Sequence, residues 1–302
     1  MRPPTPLPHS MAAAPFTVRA ALDAGVTARR VRSIELVAPF HGVRASRRAT
    51  DTFLGRCRAY AAIMPTGHVF SGRTAAVLCG LPLPAAIERD GRVEVTALEG
   101  ARAPRRRGVI GRSTRLNPNL VAAPGVPGAF MTAPADAWCE LADVLSLDDL
   151  IAAGERLLGL PRPLATTDQI DATIARHGRR RGATRLRLAR AEMRANVYSR
   201  RETFVRLMLV RAGLPEPEPN GLIVLRSGRR TRGDLVFRAY RVLVEYDGEQ
   251  HLFDTAQWAT DVSRLNDLAE ADWRVIRITK QISRAEIVAR TERALRDRGW
   301  RG

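Results

Sequence analysis

The sequence predicts a mixed α/β chain in three parts. These are a winged helix-turn-helix at residues 14–50, a small α/β middle domain at 51–165, and a C-terminal core at 199–302 running α-β-β-β-α-β-α. Three observations carry this. Two short amphipathic stretches near the N-terminus are split by a single glycine. Apolar runs in the middle of the chain alternate with helix-spaced segments. The last hundred or so residues then repeat that alternation with clear turn residues between elements. A chain of 302 residues suits two or three domains, and 45% apolar residues can furnish their cores.

Taken in order, residues 1–13 (MRPPTPLPHSMAA) are proline-rich and lack the apolar stretch of a signal peptide, so a disordered extension is expected. In PFTVRAALDAGVTARRVRSIEL, Val18, Ala21 and Leu22 recur at helical spacing, Gly25 breaks the helix, and Thr27 is a good N-cap for a second one. Arg29, Arg30 and Arg32 stud that second helix, and LVAPFHGVRAS reads as a short strand or wing. Helix, turn, basic helix and wing together are the pattern of a DNA-binding module. A helical hairpin that only packs on the next domain has the same pattern, and both readings stay open here. Residues 1–50 hold eight arginines against Asp23 and Glu35, a local excess of +6 (8 − 2).

In the middle domain, Thr50 or Asp51 is expected to cap a helix through about Met64. Ser71 caps GRTAAVLCGL, which the LPLP prolines stop. Strands GRVEVTAL and GVIGRST flank ARAPRRR, a loop whose Arg102, Arg105, Arg106 and Arg107 either meet phosphate or are solvated. Thr132 is expected to open the helix MTAPADAWCELADVL, and Ser146 to cap SLDDLIAAGERLLG. No carboxylate or nucleophile constellation stands out over 55–165. Residues 166–198 read as a basic helical linker, with eight arginines between 175 and 194 against the single acid Glu192.

The formal net charge is +18, and because Lys280 is the only lysine, 48 of the 49 basic residues (49 − 1) are arginine. A field of this sign attracts polyanions, and the planar guanidinium fork engages two phosphate oxygens at once. Nucleic acid is therefore the expected partner, a merely solvated basic surface being the alternative. Cys57, Cys79 and Cys139 show no metal-ligand or disulfide spacing, as in a reducing, cytoplasmic compartment. No apolar run approaches the roughly 20 residues that span a bilayer, so no membrane association is expected.

From Ser199 the signals sharpen. SRRETFVRLMLVRAGLP is a helix capped by Ser199 and closed by Gly213 and Pro215, with Glu202 in its first turn. Strands GLIVLRS, RGDLVFR and YRVLVEYD follow, then a helix around TAQWATDVSRLNDLAEA, the strand WRVIRIT and the helix SRAEIVARTERALRDR. If GDLVFR and RVLVEYD form a hairpin about Ala239–Tyr240, opposed residues have numbers summing to 479 (239 + 240), so Asp234 faces Glu245. Alternation adds Asp247 to that face and sends Leu235, Phe237, Val242 and Val244 to the other. Ala-Tyr is a poor two-residue turn, so a wider loop is expected, and a symmetric lengthening keeps the pairing. Three carboxylates facing together repel unless a positive charge sits among them. Hard oxygen ligands suit Mg²⁺ or Mn²⁺. Arginines pairing with the acids as a structural network are the other reading.

Glu202, Asp234, EYDG at 245–248, His251, DVSRLNDL and WRVIRIT together resemble the PD-(D/E)XK, restriction-endonuclease-like superfamily, and within it the Vsr-like domains. Residues 14–160 more weakly resemble the AbiEi-type antitoxin and regulator architecture. The first resemblance implies a DNA-hydrolysing, metal-dependent site in which Asp234 and Glu245 are ligands and Glu202 assists through a water. The superfamily pattern has lysine two residues after the acid, where this chain has Asp247. The lysine's role would then pass to His251, Arg264 or Arg277, Lys280 lying beyond the strand. Metal-dependent endonuclease is the leading expectation, and a DNA-binding regulator with a catalytically degenerate nuclease domain is its alternative. An RNA substrate is a third.

Overall fold

The computed structural model describes residues 6–159, 161–247 and 255–302. The chain is mixed α/β with several sheets and divides into two compact units: Met1–Val144 with Thr167–Leu186, and Leu145–Thr166 with Arg187–Gly302. Positions 50 and 198 fall inside these units, whereas the chain passes from one unit to the other at 166/167, beside the expected boundary at 165. The reasons lie in the packing of each unit.

In the first unit, the Thr17 and Thr27 hydroxyls accept from Ala20 N and Arg30 N and start the short helices Val18–Asp23 and Ala28–Val31. Gly25, at φ 79°, takes the left-handed turn between them. Strands Leu36–Val37 and Val43–Ser46 pair antiparallel, and Phe16–Thr17 adds to the latter's free edge. Phe16, Ala21 and Val31 form a small core of their own. Phe40 and Val43, however, are buried with Tyr60, Phe70, Val93 and Val95. One apolar core thus runs through position 50, and no domain boundary falls there.

That core lies against a five-stranded sheet ordered Val109–Ser113, Val93–Ala97, His68–Phe70, Phe130–Thr132, Leu120–Ala122. Two starts differ from expectation. Ser46 caps a separate turn of helix, Arg47–Thr50, so the following helix begins at Phe53 with Thr52 as its cap rather than Thr50 or Asp51. Thr132 closes a strand instead of opening a helix. The helix Pro134–Glu140 starts on its proline, which needs no N–H partner in the first turn.

The second unit takes in the helix Leu147–Leu157, capped by Ser146 as the sequence predicts, and does so through buried charge. Glu155 on this helix accepts from Arg206 Nη2 at 2.7 Å, Arg194 N at 2.9 Å and Thr203 Oγ1 at 2.6 Å. The remaining order is helix Arg200–Arg211, strands Glu218–Val224, Arg230–Phe237 and Val242–Tyr246, helix Thr255–Glu270, strand Arg274–Ile278 and helix Arg284–Asp297. Ser199 caps the first of these helices through Glu202 N, and Gly213, at φ 88°, ends it.

The four strands form one sheet in the order Arg274–Ile278, Val242–Tyr246, Arg230–Phe237, Glu218–Val224. The first pair is parallel and the others antiparallel. Both faces are covered. Leu235, Phe237, Val242, Val244, Ile276 and Ile278 pack with Val205, Leu209, Ile287 and Leu295 of two helices. On the other face Val236 and Leu243 pack with Leu268 and Ala271. Among the described residues no helix is long and apolar enough to cross a membrane.

Candidate functional site

The central hairpin sets the site. Leu235 pairs with Val244, Val236 with Leu243 and Phe237 with Val242, so paired numbers sum to 479 and Asp234 stands opposite Glu245. The connection is a four-residue loop, a 3₁₀ turn Arg238–Tyr240 followed by Arg241 at φ 50°. It extends the turn symmetrically about 239 and 240, which is why the register survives. The ladder ends in a side chain: Asp234 Oδ2 accepts Tyr246 N at 2.8 Å. On the other side Glu245 pairs in parallel register with Arg277. Asp247 lies one residue past the strand, its N–H donating to Ile278 O at 2.8 Å.

Asp234, Glu245 and Asp247 line one cavity of about 250 Å³, together with Arg232, Arg264 and Arg277. Each of the outer two acids meets an arginine. Arg264, from the helix Thr255–Glu270, forks onto Glu245, with Nη1 3.0 Å from Oε2 and Nη2 in a short bond to Oε1. The same guanidinium donates through Nε to Thr231 Oγ1 at 2.7 Å and through Nη2 to Arg232 O at 2.6 Å. Arg277 Nη2 donates to Asp247 Oδ2 at 2.5 Å. Arg232 donates to Asn220 O at 2.9 Å. Asp234 alone has no cationic partner in hydrogen-bond contact among the described residues. Burial pushes its carboxyl up from 3.8 to about 6, against the pull of the Tyr246 amide. The charges of Glu202 and Glu245 add to the rise, and Arg264 opposes it.

Glu202 is buried in the first turn of its helix, where Oε2 accepts Tyr198 N at 3.1 Å and Asn220 Nδ2 at 2.8 Å. It influences Asp234 through space but does not line the cavity. His251 and Gly248 lie outside the described residues. Among the described residues no three His, Cys, Asp or Glu side chains converge as a metal-ligand group. Positive charge within the acid cluster comes instead from guanidinium groups.

The arginines singled out in the first unit divide by role. Arg29 and Arg32 are exposed. Arg30 turns inward, with Nη1 2.5 Å from Ser33 Oγ and Nη2 3.0 Å from Glu35 Oε2. The first unit also holds a larger cavity, about 760 Å³, lined mostly by alanine, proline and glycine. Its two polar side chains of note are committed elsewhere. Arg58 donates to Gly125 O, and the His68 ring nitrogens lie against Thr66 O and Arg102 O.

Arg232 is the cavity residue that sequence reasoning missed. It lies two residues before Asp234 on the same strand, which places it on the same face. A second omission is a carboxylate cluster around Gly72 in the first unit. There Glu94 is held by Arg73 and Arg112, whereas Glu140 accepts only from Gly72 N and Thr132 Oγ1 among the described residues. Burial lifts the Glu140 carboxyl from 4.5 to about 7. No protein-family model, curated protein or solved structure matches this chain.

Proposed function

We propose that the chain is a metal-dependent endonuclease-like protein that hydrolyses DNA phosphodiester bonds, brought to DNA by an N-terminal winged helix-turn-helix. The carrying observation is Asp234 opposite Glu245 across adjacent strands, on one cavity with Asp247. The α-β-β-β-α-β-α order and the mixed four-stranded sheet support a restriction-endonuclease-like reading of residues 199–302. The antiparallel strands after Ala28–Val31, with Arg29 and Arg32 exposed, support the winged reading of 14–50. Three free cysteines suit a reducing cytoplasm.

The three acids line one cavity without converging as a ligand group, and Asp234 Oδ1 meets no hydrogen-bond donor among the described residues. Asp234 and Glu245 would hold Mg²⁺ or Mn²⁺, with Asp247 beside them. Such an ion stabilises charge on a scissile phosphate and lowers the pKa of its water. The chain's own residues do the remainder. Arg232 and Arg277 offer guanidinium groups to phosphate oxygens on the same cavity. Glu202 is held in place by Tyr198 N and Asn220 Nδ2.

Incubating purified full-length protein with supercoiled plasmid and Mg²⁺ tests the reading. The wild type nicks or linearises the plasmid, while Asp234→Ala and Glu245→Ala leave it intact. Cutting that persists in both variants sinks the assignment, and an RNA substrate in the same assay decides the polymer. One observation favours a second reading, a DNA-binding regulator without catalysis: Glu245 and Asp247 are already neutralised by Arg264 and Arg277. It expects salt-sensitive DNA binding and no cutting with any divalent ion.

A further inference from the structure

We propose that the arginine loop at 102–107 is a second phosphate-binding element beside the wing, gripping the backbone of DNA held by residues 14–50. This rests on the winged reading above and extends its footprint. The loop joins Val93–Ala97 to Val109–Ser113, two strands that run parallel, so the chain between them travels back the length of a strand. It starts at the Ala97 end, where His68 Nε2 lies 3.2 Å from Arg102 O, and finishes at the Val93 end, where Val93 N donates to Gly108 O. The four steps between Val93 and Ala97 (97 − 93), at roughly 3.3 Å each, separate those ends by about 13 Å. That is about the rise of four nucleotides along one DNA strand, at ~3.4 Å each.

A run of like charges is ordinarily loose, but this one is fastened along its length. Besides the His68 contact, Pro104 lies on Gly111 of the edge strand, where any Cβ would collide with Pro104 O. Arg106 Nη1 donates to His41 O at 2.9 Å, in the turn of the wing. That turn, APFHG at 38–42, holds no arginine, and Arg44 on the following strand spends its guanidinium on Val31 O and Val43 O. Arg106 thus brings the wing a charge its own turn lacks, with exposed Arg105 and Arg107 on either side. Beside Gly108, Arg56 adds a fifth guanidinium, held over the Phe40 ring and to Gly91 O. None of these five arginines pairs with a carboxylate among the described residues, whereas Arg73 and Arg92 of the same unit share Asp90. Over 98–108 the one acid, Glu99, leaves a sum of +3 (4 − 1). Fixed cations in a line, without internal partners, fit a regularly spaced anion, and the guanidinium fork fits phosphate.

Fluorescence anisotropy decides the matter, with a labelled DNA duplex of mixed sequence titrated by full-length protein at several salt concentrations. Arg102→Ala/Arg105→Ala/Arg107→Ala leaves the Arg106 anchor in place and is expected to lower the salt slope by about three. The matching triple lysine variant keeps the charge and is expected to keep the slope, which separates lost charge from a lost fold. An unchanged slope in the alanine variant, while Arg29→Ala lowers it, overturns the loop contact and leaves the winged reading standing. A slope unchanged in both, or no binding by wild type, overturns both. A slope lost equally in the lysine variant overturns the phosphate role. The same loss with duplex RNA but not with DNA overturns the assignment to DNA. Should the alanine variant fail to fold, Arg105→Ala alone is expected to lower the slope by about one. An unchanged slope there overturns the proposal equally.

Discussion

Replacing Glu155 by alanine should cost the second unit roughly 3–5 kcal/mol, the range for breaking one side of a buried ion pair. Glu155 and Arg206 have side chains 1% exposed, and Glu155 accepts three hydrogen bonds. Without it, Arg206 keeps Glu216, 35% exposed, and the Glu192 carbonyl, while its Nε already lacks a partner. A fully buried guanidinium would be left with the part-exposed Glu216 as its sole anionic partner among the described residues. Burial already pushes the Glu155 carboxyl up even with Arg206 beside it. A buried ion pair adds little net stability over apolar side chains of similar volume. The double substitution Glu155→Leu with Arg206→Met should therefore lie within ~1 kcal/mol of wild type, or above it. The two units need not unfold together, so a global melting curve is the wrong instrument. Native-state hydrogen exchange read by mass spectrometry on peptides from 200–211 and 218–246 isolates the second unit. A loss below ~1 kcal/mol in Glu155→Ala, the scale of an exposed pair, would refute this account of why the helix belongs to that unit.

Glu140→Gln should stabilise the first unit at pH 8 and leave it unchanged near pH 4. The carboxyl rises from 4.5 to about 7 on folding, so the folded state holds the proton more tightly. Its contribution is fully present below 4.5 and lost as pH climbs through 7, up to roughly 3 kcal/mol at ~1.4 kcal/mol per pKa unit; exchange stability measured at both pH values checks this. Cys79 should react with a disulfide reagent in the native protein, whereas Cys57, lifted by burial to about 12, and buried Cys139 should react only on unfolding. Under the winged reading, Arg29→Ala and Arg32→Ala should each lower the salt slope of DNA binding by about one. Arg30→Ala should leave that slope unchanged, since Arg30 is tied to Ser33 and Glu35; binding titrations at several salt concentrations separate the cases.

The part of the molecule that could be read in advance is the part fixed by short-range periodicity. Strand alternation and one symmetric turn were enough to oppose Asp234 and Glu245, because a one-residue slip would have turned Val236 and Leu243 out of their core. Contacts between distant residues carry no such signal. Glu155 and Arg206 are separated by 51 positions, and nothing in either helix marks them as partners. The helix Leu147–Leu157 was legible as a helix, cap included, while its membership of the second unit was not. Strands of three residues, such as His68–Phe70 and Leu120–Ala122, are too short for a period to show. Thr132 shows the same limit at a single residue: its hydroxyl serves Glu140 across a helix, a use that its capping propensity conceals.

Arginine abundance has a second meaning once the side chains are placed. A net charge of +18 reads as a surface feature, yet Arg206, Arg264 and Arg73 are all committed to internal carboxylates. In the cavity this bears on the position two residues after Glu245. A lysine two residues after Glu245 would bring its charge on the same strand as the acids. Here that position is Asp247, and positive charge arrives from neighbouring elements instead, from Arg277 on the adjacent strand and Arg264 on the covering helix. A charge on the same strand is fixed in register with the acids. The charge on the helix is held there by Thr231 and Arg232 O as well as by Glu245. Positive charge in the cavity therefore comes from neighbouring elements and not from the strand that carries Glu245.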